Sequence, residues 1–151
     1  IGWAFTAAGI VMALIQGMLV GRLINRFGEE KTAATGIILM GISFGLFLFM
    51  YNILSSIAFM AVFSAGVGLM RPSISAAVSK RTATGQGSAM GILNGYDSLG
   101  RAIGPMLGGF MLDRGLNMGY YTAITISLLA LLTLAVGSRI LGNRYQTEND
   151  Y

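Results

Sequence analysis

Of the 151 residues, 54% are hydrophobic and only 11% are charged, with ten Lys and Arg against six Asp and Glu and a net charge of +4. A water-soluble domain of this length carries roughly 25% charged residues, so these proportions point to lipid as the solvent. The chain has no Cys and no His. That removes disulfides, metal–thiolate sites, cysteine nucleophiles and the commonest general base, so neither an enzyme nor a metal or cofactor protein is expected.

A helix rises ~1.5 Å per residue, so about 20 apolar residues are needed to cross ~30 Å of hydrocarbon. Five stretches meet that need: Ile1 to Ile24, Ala33 to Tyr51, Leu54 to Ser79, Gly87 to Leu112, and Gly119 to Leu141. They are apolar all round, whereas barrel strands would alternate over ~10 residues. Each is therefore expected to be a helix that satisfies its own backbone. The predicted fold is all-α, a polytopic bundle of five transmembrane helices forming one partial domain, with a polar tail over 142–151.

The first span begins at Ile1, already apolar, and holds Gln16 and the spacing Gly17–Gly21. It lacks the basic leader of a signal peptide. A truncated chain is the expectation, with the partner helices lying upstream. The loop that follows carries Arg22, Arg26 and Lys31. The second span has Gly41–Gly45, and the short connection Asn52–Ile53 has no charge.

The third span contains Arg71–Pro72 and closes on Lys80 and Arg81. The fourth holds two glycine stripes, Gly87–Gly91–Gly95 and Gly100–Gly104–Gly108, together with Asn94, Tyr96, Asp97, Arg101 and Pro105. After Asp113 and Arg114 comes the fifth span, whose end carries Arg139 and Arg144. Seven basic residues thus fall on one side of the threading and one on the other. By the positive-inside rule the basic side is cytoplasmic and the C-terminus lies inside. Trp3, Tyr51, Tyr120 and Tyr121 fall at the opposite ends, where amphipathic rings suit the headgroup region. The pI near 9.8 follows from that inner bias, and basic residues split among short loops are no nucleic-acid footprint.

Small residues at every fourth position let two helices approach closely in lipid, so the glycine stripes predict tight packing, and also smooth faces along which helices could rock. Pro72 and Pro105 predict kinks. Charges in the membrane are costly, about 2.5–3.5 kcal/mol each on insertion scales, so Arg71, Asp97 and Arg101 are expected to face the bundle interior or a wet cavity. Asp97 precedes Arg101 by four residues, the favourable order for a same-face ion pair. Such a pair could be purely structural. Alternatively, Arg71, Asn94, Tyr96, Asp97 and Arg101 line a substrate pathway, with Asp97 exchanging a proton. Arg71 has no partner in its own helix; snorkelling to inner headgroups is its competing role. Gln16 is a weaker pathway candidate, and a packing hydrogen bond is its simpler role.

Two stretches carry a family pattern. Gly21-Arg-Leu-Ile-Asn25-Arg26-Phe-Gly28 resembles the cytoplasmic loop signature of the major facilitator superfamily, G-x-L-x-D-R-x-G, with Asn25 at the acid position. Gly91, Gly100, Gly104-Pro105 and Gly108-Gly109 resemble its antiporter signature, G-x8-G-x3-G-P-x2-G-G. Gly68-Leu-Met-Arg-Pro-Ser73 and Gln86-Gly87 also look like multidrug exporters of the Gram-positive quinolone-efflux type. The resemblance implies helices eight to twelve of a twelve-helix fold in the plasma membrane. It further implies alternating access against a missing N-terminal bundle, and proton-driven export of amphipathic compounds. Uptake of a metabolite or sugar, or a non-transporting membrane scaffold, are the alternatives. The implied partners are lipid, that missing bundle, a small-molecule substrate and protons.

Overall fold

The computed structural model describes residues 2–82, 85–115 and 117–148, with backbone alone considered at 4, 5, 7, 112 and 138–148. All regular structure among them is helical. The apolar runs become five rods. The first is α1 (Gly2–Leu14), a π-helical turn (Ile15–Leu19) and α2 (Val20–Phe27) in continuous succession. The others are α3 (Glu29–Phe47), α4 (Ile53–Arg81), α5 (Gln86–Leu112) and α6 (Met118–Glu148). The last helix continues beyond 141 into the segment expected to be tail, although the side chains of Arg139 and Arg144 lie outside the described ones.

On length and composition alone, three described segments suffice to cross a membrane: Ala8–Phe27, Ile53–Arg81 and Met118–Gly137. The expected five include two that fall short by this measure. α3 gives its first turn to Glu29, Glu30 and Lys31, and α5 spends hydropathy on Asn94, Asp97, Arg101 and its many glycines.

The turn between α2 and α3 is made at Gly28, whose φ of 86° an L side chain rarely adopts. Its N–H donates to the Ile24 carbonyl at 2.8 Å, closing α2, and its own carbonyl accepts from the Thr32 hydroxyl at 2.8 Å, opening α3. α4 starts where Asn52 N–H donates to Ser55 Oγ at 3.1 Å.

α3 packs most extensively on α4, and the centre of that contact is Gly36 against Gly66. A Cβ on Gly36 would stand 2.7 Å from the Gly66 carbonyl oxygen, and one on Gly66 would stand 2.7 Å from the Gly36 carbonyl oxygen. Around this crossing Ala33, Ile37 and Leu69 are buried, as are Ser43 and Ser73. The two serines donate to carbonyls of their own helices, Leu39 and Leu69, each at 2.7 Å, so neither of these hydroxyls is left without a partner. α1 packs on the other side of α4, where Gly68 meets Ile15 and Met12, and α6 packs on α3, where Gly41 meets Ser127. Close packing through small residues is therefore real, but it centres on glycines 36 and 66 rather than on the predicted stripes.

α5 is the outlier. It touches α4 and α6 sparingly, and a Cβ placed on Gly87, Gly91, Gly95, Gly100, Gly104 or Gly108 would meet nothing within 4 Å. These stripes do not pack helices together among the described residues. α4 and α5 also run unbroken through Pro72 and Pro105. Each proline lacks an N–H, so one bond of the ladder is missing there without ending the helix. A further irregularity lies at Ile15–Leu19, where Val20 N–H donates back to the Ile15 carbonyl.

At the basic end, Lys80 Nζ donates to Glu29 Oε1 at 2.9 Å, and Arg81 pairs with Glu30. These two ion pairs tie the start of α3 to the end of α4, which places Lys31 and Lys80 at the same end of the bundle. At the other end Phe47 stacks on Tyr120 at 6.0 Å and meets Phe59 edge-on at 6.3 Å. Trp3 and Tyr51 stand almost fully exposed, 84% and 83%.

Candidate functional site

The intramembrane charges converge. Arg71, from the middle of α4, donates through Nη2 to Asp97 Oδ1 at 2.9 Å, and Arg101, one turn along α5 from Asp97, donates through Nε to Oδ2 at 3.0 Å. One carboxylate thus bridges two guanidiniums and two helices. The sequence pattern gave the second contact through i,i+4 geometry and left Arg71 alone. The pairing of Arg71 with Asp97 across 26 residues is visible only in the packing of α4 on α5. Arg71, without a partner in its own helix, finds one on the next.

These side chains border an open cleft of about 290 Å³, lined also by Met70, Ile74, Ser75, Leu93 and Asn94. Asn94 lies one turn before Ser98, whose hydroxyl donates to the Asn94 carbonyl at 2.8 Å. Burial is partial: the Arg71, Asp97 and Arg101 side chains are 38%, 44% and 63% exposed. Tyr96 does not join them; it is 71% exposed and lies away from the cleft lining. The helical rotation of ~100° per residue turns it off the sector that Asn94, Asp97 and Arg101 share. Gln16 is remote as well. It sits exposed in the π-helical turn and makes no side-chain hydrogen bond among the described residues.

The loop signature forms a compact corner. Gly21 and Asn25 lie on α2, and Arg26 occupies its last turn, where a cation suits the partial negative charge of the helix end. The Arg26 guanidinium sits 5.5 Å from the centre of the Phe27 ring. The nearby acids are engaged by Lys80 and Arg81, not by Arg26. The hydrogen bond from Lys80 holds the Glu29 carboxyl below its ordinary pKa, with the backbone and the charges of Lys80 and Arg81 adding to the effect. Sequence reasoning missed these two acids as partners, although opposite charges at the two ends of adjacent loops were there to be matched.

The antiporter-like residues are placed along α5. Gly104 and Gly108, with Leu107 and Met111, border a second, larger cleft of about 580 Å³ between α3, α5 and α6. Pro105 lies inside the helix beside it, and Gly91, Gly100 and Gly109 face open space. The signature therefore gives α5 a thin, smooth surface that the described helices leave uncovered.

An all-helical bundle with charges meeting near the middle of two helices is an arrangement that solute transporters use. Residues 1–147 match the family model of the Major Facilitator Superfamily, and the chain belongs to that family. It is 30% identical over 130 residues to multidrug resistance protein 2 of Bacillus subtilis, a match covering 83% of this chain and 32% of that protein. It is 31% identical over 134 residues to multidrug resistance protein 1 of the same organism, covering 86% and 34%. Quinolone resistance protein NorA of Staphylococcus aureus is 26% identical over 133 residues, covering 88% and 34%. The chain spans about a third of the length of these relatives.

Proposed function

We propose that this chain is the C-terminal part, helices eight to twelve, of a plasma-membrane exporter that moves amphipathic drug-like compounds outward in exchange for protons. An N-terminal bundle completes the cavity, and the two bundles rock about a midplane site in alternating access. The observation that carries the reading is the bridge from Arg71 through Asp97 to Arg101, three charges from two helices inside an apolar bundle of this family. The drug-like character of the substrate is supported by the names of the relatives.

Asp97 is the proton carrier in this scheme. Its carboxylate accepts from both arginines when charged, and protonation removes one acceptor oxygen and releases the tie between α4 and α5. The guanidinium released then becomes free to meet substrate, with Asn94 beside it. The basic end, including Lys31, Lys80 and the C-terminus, faces the cytoplasm.

The test is efflux of a fluorescent dye from cells expressing the complete transporter, with and without a protonophore. Export that collapses with the protonophore in wild type, and that is lost in Asp97→Asn, is expected. Energised export that survives the Asp97→Asn change undiminished would remove Asp97 as carrier, and export indifferent to the protonophore would remove proton coupling.

A further inference from the structure

The cleft between α4 and α5 is not electrically neutral. Two guanidiniums share one carboxylate, and no other acidic side chain borders the cleft among the described residues. Asp97 has committed both of its oxygens, one to each arginine. Each arginine has committed one N–H group: Arg71 uses Nη2 and Arg101 uses Nε. A guanidinium carries five N–H donors, so both retain donors, and the terminal Nη1 and Nη2 pair of Arg101 remains available to take two oxygens together. Beside these charges, Met70, Ile74 and Leu93 provide an apolar wall.

We propose that this cleft binds the anionic group, above all a carboxylate, of an amphipathic substrate. The preferred compounds are then acids or zwitterions rather than purely cationic dyes. The inference rests on the export reading and narrows it to a charge class. The excess positive charge attracts a ligand anion, which gains charge-assisted hydrogen bonds from the donors left over. The apolar wall holds the body of the molecule, and Met70 adapts to its shape.

Binding of a carboxyl-rhodamine and of its methyl ester to the purified complete transporter, followed by fluorescence anisotropy, decides the matter. The ester keeps the ring system and loses the anion. The free acid should bind about tenfold tighter in wild type, the effect of one charge-assisted contact. Arg101→Gln should reduce that preference to near unity, and Arg101→Lys should restore part of it. Asp97→Asn, which leaves two arginines without their carboxylate, should strengthen binding of the acid. Equal binding of acid and ester in wild type would overturn the proposal, as would a preference that persists in Arg101→Gln. Proton-driven efflux with equal binding would leave the export reading standing alone. Selective binding of the acid without any efflux would remove export and keep the anion site.

Discussion

The crossing of α3 and α4 is where the packing is tightest, and a single methyl group tests it. In Gly36→Ala the new Cβ would stand 2.7 Å from the Gly66 carbonyl oxygen, 2.7 Å from the Met70 amide nitrogen and 2.9 Å from Met70 Cβ. The obstacles at 2.7 Å are backbone atoms, which no rotamer change can move. Restoring ordinary contact at 3.4 Å requires the helices to part by about 0.7 Å. Parting loosens the contacts of Ala33, Ile37 and Leu69 along the same seam. Overpacking of this kind costs about 1–3 kcal/mol, and the helix propensity gained from Gly to Ala offsets up to ~1 kcal/mol. Gly45→Ala on the same helix supplies the control, because its Cβ would meet nothing within 4 Å. Thermal unfolding of the complete transporter in detergent should show Gly36→Ala melting a few degrees below wild type, with Gly45→Ala at or slightly above it. A Gly36→Ala protein as stable as Gly45→Ala would refute the close approach of α3 and α4.

Arg71→Ala leaves Asp97 with Arg101 alone, and loss of one hydrogen bond between charged groups is worth about 1.5–3 kcal/mol. Dye efflux should fall roughly tenfold or more. The amount of protein in washed membranes should be unchanged, and normal efflux would clear Arg71 of a transport role. The pair of Glu29 with Lys80 makes stability depend on pH, because the folded carboxyl titrates below its unfolded value. Its contribution is present above the unfolded pKa and is lost as pH falls through the folded one. The melting temperature of Glu29→Gln should therefore vary less than that of wild type across the acid range, and equal pH dependence would contradict the pairing. Single cysteines placed at Lys31 and Lys80 should both be labelled from the cytoplasmic side by an impermeant maleimide; labelling from opposite sides would break the assigned threading.

The helices themselves were plain in the sequence, because apolar runs of membrane-crossing length declare themselves without any tertiary information. The i,i+4 contact of Asp97 with Arg101 was equally local. What the sequence hid was everything set by which helix lies against which. Arg71 finds Asp97 only because α4 and α5 are neighbours, and Glu29 and Glu30 find Lys80 and Arg81 only because α3 runs beside α4. The glycines misled for the same reason. Spacing distinguishes a smooth face from a rough one, yet says nothing about which smooth face is covered. Gly36 and Gly66 stand outside the stripes singled out by spacing and are buried or shielded by contact, whereas the longest stripes on α5 lie open. The π-helical turn at Ile15–Leu19 left no clear mark either, since a lone Gln16 beside Gly17 within an apolar run does not signal an extra residue in the turn.

The geometry of the three charges bears on whether they serve insertion or transport. A pair of Asp97 and Arg101 alone would be self-neutralising, formed within one helix and able to lower the cost of placing α5 in lipid before any other helix arrives. Arg71 alters that balance. It belongs to α4, so its contact with Asp97 can form only after the two helices have packed, and it brings a second positive charge that the single carboxylate does not offset. An insertion device would be satisfied by two charges and would gain nothing from a third carrying its own burden of about 2.5–3.5 kcal/mol. A switch requires the third charge. On the proposed reading, one carboxylate held between two donors on different helices joins α4 to α5, and its release would change both that contact and the donors offered to the cleft. The loosely packed α5, whose striped glycines meet no neighbour among the described residues, is the helix such a joint could move.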